Sequence, residues 1–353
     1  MESGHFGCYE EPRSCGGSGD DTSGFSVSRW QYSKGLHDIG RGCFAYLQPD
    51  GSWGWSNAGL VTDGDQTLLV DTLFDLPLTA QMLKTMRDAV PAARNIQKLI
   101  NTHANGDHVF GNQLVEGAEI IACRACAEEF AEAPAGMLLA LEAGWKNLGA
   151  GGAFFHEVMG SRFDWHGIVT TPPTTVFDDK MEVTVGGKRL VLTHLGSAHT
   201  RGDVLVHVPA DRILYTGDLL FVGGHPVLWA GPIENWIKAC DYILSLDVEV
   251  VVPGHGPIAE KSAVRELKSY FEFIAAEART HFDNGLPHEE AARKINLERF
   301  SSWLDPERIV INVASLYRQF SGSTAPVDRV ALFAAMKRYR DACAHDAPPR
   351  SDA

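Results

Sequence analysis

Short apolar runs separated by turn residues dominate the first half of the chain after residue 25. Such runs, bounded by Gly, Pro, Asn or Asp, are typical of β-strands. Apolar residues then recur at helical spacing from Pro77 to Pro91, which predicts a helix with proline in its first turn. The first predicted strands lie at 43–47, 57–62, 68–70 and 96–102, and a longer helix is predicted near 124–144.

The second half repeats this alternation. A helix is predicted at 234–244, and strands are predicted at 183–185, 190–194, 204–208, 213–215 and 248–252. Two β-rich halves with helices outside them predict an α/β protein in which two sheets are layered between helices, an αββα sandwich.

The pattern divides the chain into three parts. Residues 1–24 are rich in Gly, Ser and acidic residues, which indicates disorder, and residues 25–282 form the predicted sandwich domain. Residues 283–345 are predicted to be a helical C-terminal extension, with helices near 286–295, 305–319 and 326–342. The extension has three roles open to it: completing the core, covering the rim of a site, or forming a homodimer. The apolar stripes favour packing.

Composition narrows the class of partner. The formal net charge of −14 disfavours nucleic acid, whose phosphates need clusters of Lys and Arg. No run approaches the ~18 apolar residues of a membrane span, so we expect no membrane association. The N-terminus lacks the pattern of a signal peptide, and the seven cysteines show no disulfide-framework spacing. These features predict a cytoplasmic protein that binds neither nucleic acid nor membrane.

The segment from Asn101 to His108 places two imidazoles and a carboxylate in one short turn after a predicted strand. His103, Asp107 and His108 can then point into one volume, because Gly106 allows a sharp turn. Neutral imidazole and ionised carboxylate are the usual nitrogen and oxygen donors for a divalent transition metal. A capped turn without a metal is the structural alternative.

Three later loops carry similar residues beside glycine and next to an apolar run. They contain His199 before Thr200, Asp218 after Gly217, and His255 between two glycines. All four loops are expected at one edge of the scaffold, where rigid elements can assemble a binding site.

Together, these loops resemble the metallo-β-lactamase superfamily, whose pattern is H-x-H-x-D-H, then a His before Thr, then an Asp or Cys, then a C-terminal His. The resemblance runs from about Phe25 to about His281. It implies a fold of the αββα type and one or two bound Zn²⁺ ions. The implied ligands are His103 and His199 for one metal, Asp107, His108 and His255 for a second, and Asp218 as a bridge between them.

Asn105 departs from this pattern, making the motif H-x-N-x-D-H. A neutral amide oxygen is a weaker donor to a borderline metal than an imidazole nitrogen. Three outcomes are open: the first site is weakly occupied, it takes a harder ion such as Mn²⁺ or Fe²⁺, or it is empty while the second works alone. Asn105 is therefore a candidate weak ligand.

The resemblance and the ligand chemistry favour a metal-dependent hydrolase. A divalent metal lowers the pKa of bound water from about 15.7 towards 7 and so supplies hydroxide at neutral pH. Asp107 is the candidate catalytic residue, since a carboxylate can orient that hydroxide and pass its proton to the leaving group. The expected substrate is a small or medium, partly apolar ester, thioester, lactone or amide, and less favourably a carbon–halogen compound.

Two alternatives stay open. One is a non-haem di-iron enzyme that uses oxygen; relatives of that kind resemble H-x-E-x-D-H, whose carboxylate Asn105 cannot replace. The other is a metal-binding protein on the same fold without catalytic activity. Hydrolysis is favoured over both.

Four aromatic or imidazole residues are candidates for substrate contact. Trp165 and His166 lie in the segment 145–176, which has no clear period and so resembles a lid or a cavity wall. His225 and Trp229 follow Asp218 closely enough to reach the mouth of the site. Aromatic packing beneath long loops is the alternative for this set.

Overall fold

The computed structural model describes residues 30–130, 132 and 134–346. The disorder predicted for residues 1–24 lies outside these residues and stays a prediction. Within the described residues the strands form two sheets. The first contains β1 Gly35–Gly40, β2 Cys43–Leu47, β3 Ala58–Asp63, β4 Gln66–Val70, β5 Lys98–Ile100, β6 Glu119–Cys123 and β7 Thr175–Phe177. The second contains β8 Lys180–Val185, β9 Lys188–His194, β10 Val204–Val208, β11 Ile213–Tyr215 and β12 Val250–Val252.

Each sheet combines antiparallel and parallel pairing. In the first sheet, β1 to β4 pair antiparallel in sequence order, and β4 to β7 continue in parallel. In the second, β8 to β11 are antiparallel, and β12 pairs in parallel with β11. The parallel strands β4, β5, β11 and β12 therefore bring several carboxyl ends to the region where the site lies.

The helices are the following: α1 Leu76–Ala89, α2 Gly106–Val109, α3 Arg124–Glu129, α4 Ala135–Gly144, α5 Gly149–Phe155, α6 Ile233–Ser245, α7 Lys261–Asp283, α8 His288–Lys294, α9 Ile309–Ser321 and α10 Arg329–Asp346. Helix α1 begins as the sequence predicts, with Pro77 in its first turn and the Asp75 side chain accepting a hydrogen bond from the Leu78 N–H. None of the described helices is both long and apolar enough to cross a bilayer.

Alternate residues of a strand enter different apolar layers, because successive side chains point to opposite faces of a sheet. Leu68 and Val70 of β4 join the core that also holds Leu192 and Val206 of the second sheet. Leu69, between them, joins a second core with the buried face of α1. This layering confirms the predicted α/β sandwich, with the helical extension present at the C-terminus.

Two predictions in the middle of the chain need correction. The helix expected near 124–144 is broken into α3 and α4, and Pro134 precedes the second of them. The segment 145–176, expected to be irregular, contains α5. Its Gly-Ala-Gly-Gly start is a poor helix former, so the sequence pattern gave little signal. A Cβ on Gly151 would lie 2.2 Å from the Val330 carbonyl oxygen, so glycine there lets α10 approach closely.

Candidate metal centre

All six predicted ligands are buried at the ends of strands or in the loops that follow them. His103 comes shortly after β5, and the short helix α2 carries Asp107 and His108. His199 lies between β9 and β10, whereas Asp218 and His255 follow the parallel strands β11 and β12. Strand pairing thus brings residues distant in sequence to one edge of the scaffold.

The ligand atoms form two groups, each able to hold a metal ion. His103, His199 and Asp218 make one group, and Asp107, His108 and His255 make the other; within each group the ligand atoms lie within 4.8 Å of one another. This is the division that the family resemblance implies.

Asp218 faces both groups. Its Oδ2 atom lies 3.2 Å from His199 Nε2 and 3.4 Å from His255 Nε2. Its Oδ1 atom lies 3.1 Å from His108 Nε2. Oδ2 thus lies between the two groups and Oδ1 faces the second, a placement that suits a bridging ligand.

Each imidazole of the site has its Nδ1 atom engaged on the side away from the common volume. This orients the ring and turns Nε2 towards the place of the ion. The Nδ1 partners are Thr102 Oγ1 for His103 (3.1 Å), Asp71 Oδ2 for His108 (2.9 Å), the Val227 carbonyl for His199 (2.6 Å) and the Gly51 carbonyl for His255 (3.1 Å).

Several inward-facing atoms of the site make no hydrogen bond with the described residues. They are His103 Nε2, His108 Nε2 and Asp218 Oδ1. The last two lie 3.1 Å apart, but not at the angle of a hydrogen bond. Leaving a buried polar atom unsatisfied costs about 1–3 kcal/mol, and divalent ions held by the two groups would satisfy all three. The donor set of imidazole nitrogens and carboxylate oxygens therefore fits a transition metal.

Burial and charge set the protonation of the ligands in opposite directions. Burial lowers the pKa of His103 and His199. Burial also opposes charge on His108 and His255, but neighbouring carboxylates outweigh it and raise both pKa values, that of His255 to about 9. Without an ion, protons on these two rings balance the carboxylates, so an ion must displace them.

Asn105 lies beside the first group, where the family pattern has histidine. Its Nδ2 atom is 3.1 Å from His199 Nε2. In this orientation the amide donates a hydrogen bond to the lone pair that His199 would offer to an ion. The first group therefore contains two imidazoles and the Asp218 carboxylate. The second group contains two imidazoles and the Asp107 carboxylate, and Asp218 also faces it. The second group thus has one more carboxylate than the first.

Sequence reasoning missed two carboxylates that support the ligands. Asp71 accepts hydrogen bonds from the Thr102 backbone N–H (2.7 Å) and hydroxyl (2.6 Å) as well as from His108. Asp203 accepts from the Thr200 backbone N–H and hydroxyl and so fixes the His199 loop; burial raises its pKa to about 8. The sequence did contain one indication that Asp71 belongs to the site: it directly follows a buried strand, as the ligand loops do.

A cavity of about 550 Å³ opens above the two groups. Asn105, Asp107, His199, Asp218 and His255 lie at its floor. Its walls are mainly apolar and aromatic: Trp53, Phe74, Phe110, Met137, Leu138, Leu141, Phe155, Met159, Phe221, Val227, Trp229, Val327, Val330 and Phe333.

Of the four candidates for substrate contact, the structure places only Trp229 in this wall. Trp165 is buried behind it, with its ring 5.3 Å from that of Phe74. His166 is exposed and paired with Asp164. His225 is fully buried against Tyr270, and burial lowers its pKa to about 3, so it is a neutral core histidine. The structure therefore does not bring these three residues to the cavity wall.

The chain is similar to several known proteins. The alpha subunit of 2,4-dinitroanisole O-demethylase from Nocardioides sp. (strain JS1661) is 29% identical over 110 residues, 30% of this chain and 31% of that protein. Acyl-coenzyme A thioesterase MBLAC2 from Bos taurus is 29% identical over 89 residues, 24% of this chain and 31% of that protein. The chain thus spans less than a third of the length of these curated relatives.

A metallo-beta-lactamase from Pontibacter korlensis shares the fold. It superposes with a TM-score of 0.51 at 18% identity, over 67% of this chain and 98% of that one. Nearly all of that protein is therefore matched within this chain, which has further residues beyond the shared fold. The family model of the metallo-beta-lactamase superfamily matches residues 51–255, and these contain all six ligands. The chain belongs to the metallo-beta-lactamase superfamily.

Proposed function

We propose that this protein is a metal-dependent hydrolase of small or medium, partly apolar organic compounds. The observation that carries the proposal is the position of the two ligand groups at the floor of a mainly apolar cavity. The bond broken would be an ester, thioester, lactone or amide bond, with a carbon–halogen bond less favoured. The similarity to a thioesterase supports the inclusion of thioesters.

His103, His199 and Asp218 would hold one ion, and Asp107, His108 and His255 the other. Zn²⁺ suits these donors, and the weaker first group leaves Mn²⁺ or Fe²⁺ as alternatives. A bound divalent ion polarises the substrate oxygen and lowers the pKa of a coordinated water. Asp71 behind His108, the Thr102 hydroxyl behind His103, and backbone carbonyls behind His199 and His255 would keep each Nε2 directed at an ion.

Asp107 is placed to handle the proton of the reaction. Its Oδ2 atom lies 3.3 Å from His255 Nε2, and the residue lines the cavity floor. Burial opposes its ionisation, but His108 and His255 outweigh burial and lower the pKa of Asp107. The carboxylate can therefore accept a hydrogen bond from the attacking water and return that proton to the leaving group.

Cleavage of an aryl ether is a second candidate for the reaction. It is supported by the similarity to 2,4-dinitroanisole O-demethylase, although the matched part covers 31% of that protein. The same floor would serve, because water again attacks and an alcohol leaves.

A substrate panel tests the proposal. Aryl esters, thioesters, lactones, β-lactams, haloaromatics and aryl methyl ethers would be incubated with zinc-loaded protein, and separately with iron-loaded protein and a reductant. Each incubation would be run in air and under nitrogen, with and without chelator. Turnover that persists under nitrogen and stops with chelator supports hydrolysis. Activity that requires oxygen, a reductant and iron would establish the di-iron alternative, and metal binding without any turnover would favour the silent protein.

In these assays Asp107→Asn tests the role of the Asp107 carboxylate, and Asp328→Asn is its matched control. Asp328 also lines the cavity but is not among the grouped ligand residues. Its side chain caps the start of α10 through the Ala331 N–H, a role that asparagine can fill. We expect Asp328→Asn to keep most turnover.

The cytoplasmic location and the homodimer through the C-terminal helices stay predictions. Light scattering would check the homodimer.

A further inference from the structure

The C-terminal extension supplies part of the cavity wall. Val330 and Phe333 on α10 line the cavity, as does Val327 in the segment before this helix. These residues lie beyond positions 51–255, which the family model matches. The shared fold thus provides the ligands, and the extension provides the surface that faces them.

Phe333 is held in a fixed position by other aromatic rings. Its ring centroid lies 6.2 Å from that of Trp53 at 89°, and 6.1 Å from that of Phe155 at 26°. Both partners also line the cavity. Because α10 packs closely on Gly151 of α5, the wall is formed before a ligand enters.

Aromatic rings also form other parts of the wall. Phe74 and Phe110 stack with centroids 5.8 Å apart, and both line the cavity. Phe221 lies parallel to the ring of His255, at 5.0 Å and 2°. A substrate group that lies between α10 and the metal-ligating residues therefore contacts ring faces and edges. Such a surface favours another aromatic ring over an aliphatic group of equal area.

The charged residues of the cavity do not favour an anion. The acidic residues Glu129, Glu132 and Asp328 line it and outnumber the two arginines, Arg308 and Arg329. Arg329 is exposed, and its guanidinium lies 5.3 Å from the centre of the Trp229 ring. Arg308, the buried cation of the wall, is paired with Asp305 at 2.9 Å and lies over the Trp53 ring at 4.3 Å. Its charge is therefore already balanced within the protein.

We propose that α10 is the substrate-recognition element and that Phe333 binds the uncharged aryl group of the substrate. This proposal rests on the proposed function for the bond that is broken, but aryl binding itself needs no turnover. Phe333 is a specificity residue in this account, since the ligands and Asp107 lie at the cavity floor.

Binding of ligands that are not hydrolysed tests the proposal in zinc-loaded protein. N-phenyl-1-naphthylamine would serve as the fluorescent probe, displaced by 2-naphthol or by decahydro-2-naphthol, which has the same carbon skeleton without aromatic rings. We expect 2-naphthol to bind at least about tenfold more tightly. We also expect the neutral probe to bind more tightly than 8-anilinonaphthalene-1-sulfonate, which adds only a sulfonate to it.

Phe333→Leu should bring the two naphthol-type ligands to nearly equal affinity, because it keeps an apolar side chain and removes the ring. Leu332→Ala is the matched control, since Leu332 is the preceding residue of α10 and lines a different cavity. Metal content and the melting temperature of each variant establish that the fold and the ion are retained. Phe333→Leu is preferred to Phe333→Ala because it leaves a smaller gap in the core.

Equal affinity of the natural protein for the two alcohols would overturn the proposal, as would an unchanged ratio in Phe333→Leu. Tighter binding of the sulfonate probe than of the neutral probe would overturn the claim that the bound aryl group is uncharged. These results are independent of turnover. Loss of the proposed hydrolytic function would leave the binding ratio intact, and loss of the aryl preference would leave hydrolysis of aliphatic esters intact.

Discussion

Asp71 and His108 form a buried pair in which the carboxylate Oδ2 lies 2.9 Å from the imidazole Nδ1. The hydrogen bond fixes the ring so that Nε2 faces the place of the ion. Asp71 is itself held by the backbone and hydroxyl of Thr102, the residue before His103. One carboxylate thus orders both ends of the main ligand loop.

Asp71→Asn should weaken metal binding by about 10–100-fold, the usual effect of losing a carboxylate behind a ligating histidine. Asparagine tolerates the left-handed backbone at this position, where φ is +63°, so the fold should survive. Competition with a chromophoric chelator measures the affinity. Asp75→Asn, at a buried carboxylate that caps α1, serves as the control, and an equal loss there would refute the specific role of Asp71.

His255→Ala should abolish the second metal site, because a group that loses one of its donors holds the ion poorly. Plasma mass spectrometry of protein purified without added metal measures the ion content per chain. His166→Ala, at an exposed histidine outside the site, should leave that content unchanged. Undiminished metal in His255→Ala would show that the ligand assignment is wrong.

Asn105→His should raise the metal stoichiometry at limiting zinc. The substitution replaces an amide that hydrogen-bonds His199 with a third imidazole for the first group. Titration with zinc, followed by mass spectrometry, compares it with Asn105→Ala, which removes the amide without adding a donor. Two tightly bound ions in the natural protein, with no gain on substitution, would mean that another ligand completes the first site.

Stability should depend on pH in opposite ways with and without metal. The pKa of His255 is about 9 in the metal-free fold against about 6.5 when unfolded, so its contribution is complete below 6.5 and is lost as the pH rises through 9. The melting temperature of metal-free protein should therefore fall across this window. Zinc affinity should rise across it, by up to about tenfold per pH unit for each proton displaced.

Thermal melts at several pH values between 6.5 and 9, with and without zinc, check this prediction. Measurements on His255→Ala isolate the contribution of this one ring. A metal-free melting temperature that rises between pH 6.5 and 9 would contradict the charge assignment.

The sandwich and the ligand loops were predictable because both depend on local signals. The periodicity of a strand can be read from consecutive residues. Four of the predicted ligands follow or precede such a strand beside a glycine or threonine: His103, His199, Asp218 and His255. Asp71 carried less signal, since a single aspartate after a strand has many roles. Its role emerges only when β4 and β5 pair in parallel.

The cavity wall was less predictable because it depends on contacts between distant segments. His225 and Trp229 lie close together in sequence, yet one is buried against Tyr270 of α7 and the other lines the cavity. The glycines of α5 disfavour a helix, so the sequence indicates this helix only weakly. The reason for glycine at position 151 is the close approach of α10, which only the folded structure shows. The contribution of Phe333 to the site likewise follows from tertiary packing.

Hydrolysis at a metal centre with Asp107 at the cavity floor requires that water supplies the oxygen of the product, which labelled water can reveal. Zinc-loaded protein would act in H₂¹⁸O, in air and under nitrogen, on the best ester or thioester of the panel. We expect one ¹⁸O atom in the acid product of each turnover, an unchanged rate without oxygen gas, and a rate at least about 100-fold lower in Asp107→Asn. Product oxygen derived from O₂, or full turnover by Asp107→Asn, would contradict this expectation.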